Sequence, residues 1–183
     1  MRFTAMTILM LAACASAGDG TSAVSRAEQA ARLYSDLSRE NISNPALLPT
    51  SGTAQYAGLI ALDLPIPNES APHVGDIDLR VNFGSNRNPI SGSATNFNGL
   101  SGSLTIASGA IDRGADPDED YTFEAGLAGT LDGTSGAFVI DGTLSGDFRG
   151  RNLDGVTGVV FGDVTGPDGQ VLFDGTFAGT QGD

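Results

Sequence analysis

The chain has no tryptophan, no lysine, one histidine and one cysteine among its 183 residues. With Cys14 alone, no internal disulfide can form in any compartment, so the fold must be held by its core. With His73 alone, a multi-histidine metal site is excluded. Without lysine, nine arginines stand against 22 acidic residues, for a formal charge of −13. A surface of that sign repels nucleic acid and anionic lipid, which removes both from the expected partners. Long apolar runs are missing too, because Phe3 to Leu11 is too short to span a bilayer as a helix.

What is plentiful is glycine, 26 residues in all, and its placement is periodic. In Gly136 to Gly150, the residues Phe138, Ile140, Gly142, Leu144, Gly146 and Phe148 share one parity. Val139, Asp141, Thr143, Ser145, Asp147 and Arg149 share the other. This is a strand with an apolar and a mostly polar face. Glycine alternates with large residues on the apolar face, as the tapering interior of a small closed barrel requires. The same device returns at Tyr56, Gly58, Ile60 and Leu62, at Leu100, Gly102, Leu104 and Ile106, from Tyr121 to Leu131, and at Val171, Phe173, Gly175 and Phe177.

In chain order, Arg2 and the apolar run after it read as a secretory signal over residues 1–13. Leu11-Ala12-Ala13-Cys14 resembles the lipobox of bacterial lipoproteins, in which the bond before cysteine is cut and the thiol takes diacylglycerol through a thioether. Cys14 is accordingly the lipidation site expected here, and the absence of aspartate at Ala15 and Ser16 points to the outer membrane. Residues 14–24 are small and polar, a flexible tether. Ser25 and Glu28 match a capping box and predict a helix from about Arg26 to Arg39, with Ala27, Ala30, Ala31, Tyr34 and Leu37 along its apolar stripe. Helix and proline-bearing linker occupy residues 25–52, and a barrel domain fills residues 53–183.

Eight strands are expected, at Gln55 to Leu62, Asp76 to Phe83, Asn88 to Phe97, Leu100 to Ala107, Tyr121 to Leu131, Gly136 to Phe148, Gly155 to Val164 and Val171 to Thr180. Tight turns follow at Asn98-Gly99, Asp132-Gly133 and Pro167 to Gly169. Pro65, Pro67 and Pro72 make a stiff loop carrying His73. The fold class is all-β, an eight-stranded antiparallel up-and-down β-barrel preceded by a short N-terminal helix. The acidic run Asp116 to Asp120 departs from a calcium loop, with Tyr121 where glycine and Leu127 where glutamate would stand.

Several phrases in order carry a family resemblance: Tyr56-Ala-Gly58, Val81-Asn-Phe-Gly84 with Ile90-Ser-Gly92, Gly142 to Gly150, and Gly158-Val-Val-Phe-Gly162. They resemble the β-barrel domain of transferrin-binding protein B and its relatives over about Thr53 to Gly179. The chain departs from that pattern at Asn82 and at Val159-Val160, and it has one barrel with no handle domain. It is therefore more similar to the small single-barrel members, which include haem- and haemoglobin-binding surface lipoproteins. The resemblance implies a lipid-anchored binding protein of the outer membrane or cell surface, serving capture of iron, haem or a carrier protein through its loops. Its partners would be a host or environmental protein or haem, and an outer-membrane receptor or translocon. The alternative is a structural or shielding lipoprotein with no dedicated ligand.

No ligand-binding, catalytic or metal residue is transferred from the family, and no cofactor is expected. Arg87 and Arg113 are candidate loop anchors. His73 is the one imidazole that could face haem iron, but a histidine in such a loop is ordinarily a surface residue, and it is not assigned as a ligand. A serine nucleophile would have only His73 as its base, and Asp118 with Glu124 is the sort of carboxylate pair that an acidic surface supplies by chance. No enzyme is expected.

Overall fold

The alternation of large residues and glycine is built into a closed barrel. The computed structural model describes residues 20–67 and 71–182, with side chains from residue 26 onward. Cys14, the signal segment and residues 14–19 of the expected tether lie outside these. The order is helix α1 (Gly20–Ser38), a 3-10 turn (Pro45–Leu47), then β1 (Thr53–Asp63), β2 (His73–Asn82), β3 (Ile90–Thr95), β4 (Ser101–Ile111), β5 (Phe123–Gly133), β6 (Gly136–Arg149), β7 (Gly155–Gly166) and β8 (Gly169–Gln181). Every neighbouring pair is antiparallel, and β1 closes on β8.

Cross-strand partners show how the interior is filled. Gly58 faces Ile77 and Gly75 faces Ile60 between β1 and β2, Gly92 faces Leu79, and Gly129 faces both Leu104 and Ile140. A side chain stands opposite a gap, so layers interlock across a narrow bore. Tyr56, Phe123, Phe148 and Phe177 are fully buried, and Phe148 packs against Phe123, Phe83 and Tyr56 with ring centroids 5.1, 5.6 and 6.1 Å away. Each such buried ring contributes roughly 1.5–3 kcal/mol by leaving water.

Several boundaries differ from those predicted. The helix starts at Gly20, so residues 20–24 extend the helix instead of the tether and Ser25 is not its cap. On its inner side Leu33 takes the half-buried place expected of Ala31, which is exposed. Strand β3 spans Ile90 to Thr95 because Asn88 and Asn96 adopt φ of 49° and 55°, left-handed values that asparagine tolerates and that end extended structure. Strand β4 continues past Ala107 through a bulge where Ser108 has φ 57°, and the Asn88 side chain accepts the Gly109 N–H at 3.0 Å. Strand β2 begins at His73, not Asp76.

The helix lies outside the barrel and runs from one end to the other. Near its start Arg26 pairs with Asp76 at 2.6 Å and donates to the Asn96 carbonyl at 2.8 Å, beside the β3–β4 turn. Near its finish Leu37 lies over Gly155, where a Cβ would come within 2.7 Å of the leucine, at the opposite end of the barrel. Tight turns β3–β4, β5–β6 and β7–β8 share the first end with the β1–β2 loop. The linker after α1 and the β2–β3, β4–β5 and β6–β7 loops share the second.

Candidate binding face at the loop end of the barrel

The linker after α1 is fastened to the last residues of β6. Ile42 bridges Arg149, Ser43 N–H donates to the Phe148 carbonyl at 2.9 Å, Gly150 N–H to Asn41 at 3.0 Å, and Ser43 Oγ to the Gly150 carbonyl at 2.6 Å. Asn44 then caps the 3-10 turn through Oδ1 to Ala46 N–H at 3.0 Å. The turn sends consecutive leucines opposite ways: Leu48 joins the core, while Leu47 is 79% exposed.

Arg113 fixes the linker from the other side. Its guanidinium donates to the carbonyls of Leu48 at 2.7 Å, Pro49 at 2.6 Å and Phe83 at 3.2 Å, so one fork spans the β4–β5 loop, the linker and the end of β2. It is thereby engaged as a clamp, contrary to its expected role as a free loop anchor. Arg87 is exposed on the β2–β3 loop as expected, and Arg151 is exposed on the β6–β7 loop. Neither guanidinium meets a partner among the described residues. Between the linker and residues Gly150 to Asp154 runs an open groove of about 660 Å³, walled by Leu47 on one side and Arg151 to Asp154 on the other. Leu153 holds φ 62°, a backbone uncommon for leucine, and packs against the core from that loop.

Under this face lies a polar cluster on the outward parity of β6, where solvent contact was expected. Asp147 Oδ1 accepts the Thr122 N–H at 3.1 Å and hydroxyl at 3.0 Å, and its other oxygen is 3.6 Å from Arg149. Arg149 Nε donates to Thr157 at 2.8 Å and Nη1 to the Glu40 carbonyl at 3.4 Å. Asp147, Thr122, Thr157 and Ser145 are all buried. Partial desolvation raises the Tyr121 phenol above its ordinary value, with the nearby Tyr34 and Asp147 adding to the rise and Arg149 opposing it, although the residue stays 43% exposed. Strand parity alone cannot show this cluster, because it does not register the loops and helix end that cover an outer face.

His73 is not on an exposed loop. It opens β2 opposite Leu62, is 1% exposed, and its Nδ1 lies 3.4 Å from the Asn98 carbonyl at the turn end of the barrel. No imidazole is presented there to a ligand as large as haem. Glu124 is held by Ser145 Oγ at 3.2 Å, and Asp118 N–H donates to Asp116 at 3.1 Å within the acidic turn. Among the described residues, no group of three His, Cys, Asp or Glu is placed to hold a metal ion. No helix among them is long and apolar enough to cross a membrane.

These features define a filled, closed antiparallel barrel with the linker and the β2–β3, β4–β5 and β6–β7 loops gathered at one end. The same barrel fold occurs in transferrin-binding protein B, a vaccine antigen of Haemophilus parasuis Hp5. A double mutant of that protein superposes with a TM-score of 0.52 at 19% identity, covering 77% of this chain and 28% of that one. A single mutant gives 0.49 at 20% identity with the same coverage. The chain therefore spans little more than a quarter of that protein's length, and the likeness establishes the fold. No protein-family model matches the chain. No curated protein sequence matches it either.

Proposed function

We propose that this chain is a lipid-anchored binding protein of the bacterial cell envelope, acylated at Cys14 and displayed at the outer membrane, that captures a carrier protein in nutrient uptake. The observation that carries this reading is the loop end: exposed Leu47 beside an open groove, with Arg87 and Arg151 unpaired on neighbouring loops. Protein interfaces concentrate their energy in a few anchors, arginine prominent among them, and this end offers two exposed arginines beside an apolar-edged groove. Supporting it are the lipobox-like Leu11 to Cys14 and the shared barrel of a protein that binds transferrin. An outer-membrane receptor or translocon would be its companion.

The test is a surface plasmon resonance titration of residues 15–183 against transferrin, haemoglobin and haemin. Saturable binding to one of the two proteins is expected, reduced at least about tenfold when Leu47→Ser, Arg87→Ala and Arg151→Ala are combined. Binding of haemin alone, or protein binding unchanged in the triple variant, overturns loop capture. Binding of nothing favours the structural or shielding lipoprotein.

A further inference from the structure

A second exposed patch lies on the barrel wall, away from the loop end. Outward residues of β6, β7 and β8 come into register in rows: Thr143 opposite Phe161 opposite Asp174, then Asp141 opposite Asp163 opposite Leu172. Phe161 and Leu172 are thus diagonal neighbours, and they are 52% and 79% exposed. An open depression of about 660 Å³ lies over them. On a wall whose outward residues are otherwise mostly polar, Phe161 and Leu172 form an adjacent apolar pair open to water, which a docked partner would bury.

The charges around them limit what could cover it. Asp141 and Asp163 face each other directly across β6 and β7, an arrangement that destabilises a sheet, and Asp174 lies beside Phe161. None of the three carboxylates meets a cation among the described residues, and they are not arranged to hold a metal ion. A second copy of this chain would bring aspartate against aspartate on a molecule of charge −13, and an anionic lipid surface would be repelled. A cationic side chain set between apolar ones answers both the exposed rings and the unpaired carboxylates.

We propose that the outer wall of β6 to β8, centred on Phe161, Leu172 and Asp163, docks a partner protein segment in which Lys or Arg alternates with large apolar residues. This surface is independent of the loop end, and either can fail without the other. The probe is a capped hexapeptide, Leu-Lys-Phe-Arg-Leu-Lys, titrated into labelled residues 15–183 and followed by amide chemical shifts. Saturable shifts confined to β6, β7 and β8 around Asp163 are expected. Leu172→Ser should weaken them roughly tenfold and Asp163→Asn several-fold, both substitutions lying on the solvent side. The acidic counterpart Leu-Glu-Phe-Glu-Leu-Glu and the polar counterpart Ser-Lys-Ser-Arg-Ser-Lys should leave the patch unmoved. Equal binding of the polar peptide, shifts elsewhere, no shifts, or no loss in either variant overturns the proposal. So does a dimer in sedimentation that Leu172→Ser dissociates, since the patch would then belong to a second copy.

Discussion

Gly146 and Gly158 face each other across β6 and β7, and the ring of Phe177 fills the space that both leave. A Cβ on Gly158 would lie 2.6 Å from Phe177, and one on Gly146 would lie 2.8 Å from the same ring and 2.9 Å from Phe123. The barrel is narrow enough that its aromatic layer exists only because these positions carry no side chain.

Gly158→Ala should therefore destabilise the barrel by about 1–3 kcal/mol, since the added methyl also strikes the Ser145 backbone carbonyl, which cannot move aside. Thr143→Val, on the outward parity, should stay within about 0.5 kcal/mol. Urea unfolding of the two variants compares them directly, and equal midpoints would contradict the parity.

Tyr56 is buried, and its hydroxyl meets no hydrogen-bond partner among the described residues. Tyr56→Phe should stabilise the fold by about 1 kcal/mol, because an unpartnered buried hydroxyl is costly. Burial, helped by Asp154, raises its ionisation well above the ordinary 10.0. The unfolded chain releases that proton first, so stability is intact below pH 10 and falls as pH rises beyond it. Thermal melts between pH 8 and pH 11 should show a shallower alkaline loss in Tyr56→Phe.

Asp147→Ala should cost about 2–3 kcal/mol, because it leaves the half-buried Arg149 charge without its counter-ion and the buried Thr122 without its acceptor. Asp147→Asn should cost less, since its amide oxygen still accepts from Thr122. Joint replacement of Asp147 and Arg149, read in a double-mutant cycle, should cost less than the sum of the single changes.

Arg113→Ala should lower stability by about 1–2 kcal/mol and free the linker from the end of β2. Hydrogen exchange should quicken at Phe83 N–H, which donates to Gly52 at 3.0 Å. Arg113→Lys should recover little, because a point charge cannot span three carbonyls.

Cys14→Ser should abolish acylation, since a hydroxyl gives no thioether, and should move the protein from the detergent-rich to the aqueous phase in a cloud-point separation. Equal partition of the two forms would remove the lipid anchor.

The barrel was legible because glycine kept to the inward parity of strand after strand, and a closed interior leaves period-two traces in one dimension. His73 shows how the same rule could have gone further. Ile77, Leu79 and Val81 share a parity that reaches back through Gly75 to His73, so the histidine belonged to the inner row before the prolines suggested a loop. Arg113 left no such trace, because its three acceptors are backbone carbonyls distant in sequence and any residue type supplies those. Asp147 and Thr157 read as solvent-facing for a related reason: the residues that cover them come from the linker and the β4–β5 loop, which strand periodicity does not register.

The path of α1 along the barrel wall gives the molecule a polarity. Its first turns lie beside the hairpin end, near Asp76 and Asn96, and its last beside the linker and Gly155. If the chain is moored through Cys14, the compact hairpins sit nearest the mooring. The groove, Leu47 and the unpaired arginines then crown the far side, at the opposite end of the barrel. The helix works as a mast stay, bringing the chain in at the foot and delivering it to the top before the first strand begins, so that under such a mooring the face proposed for capture would stand clear.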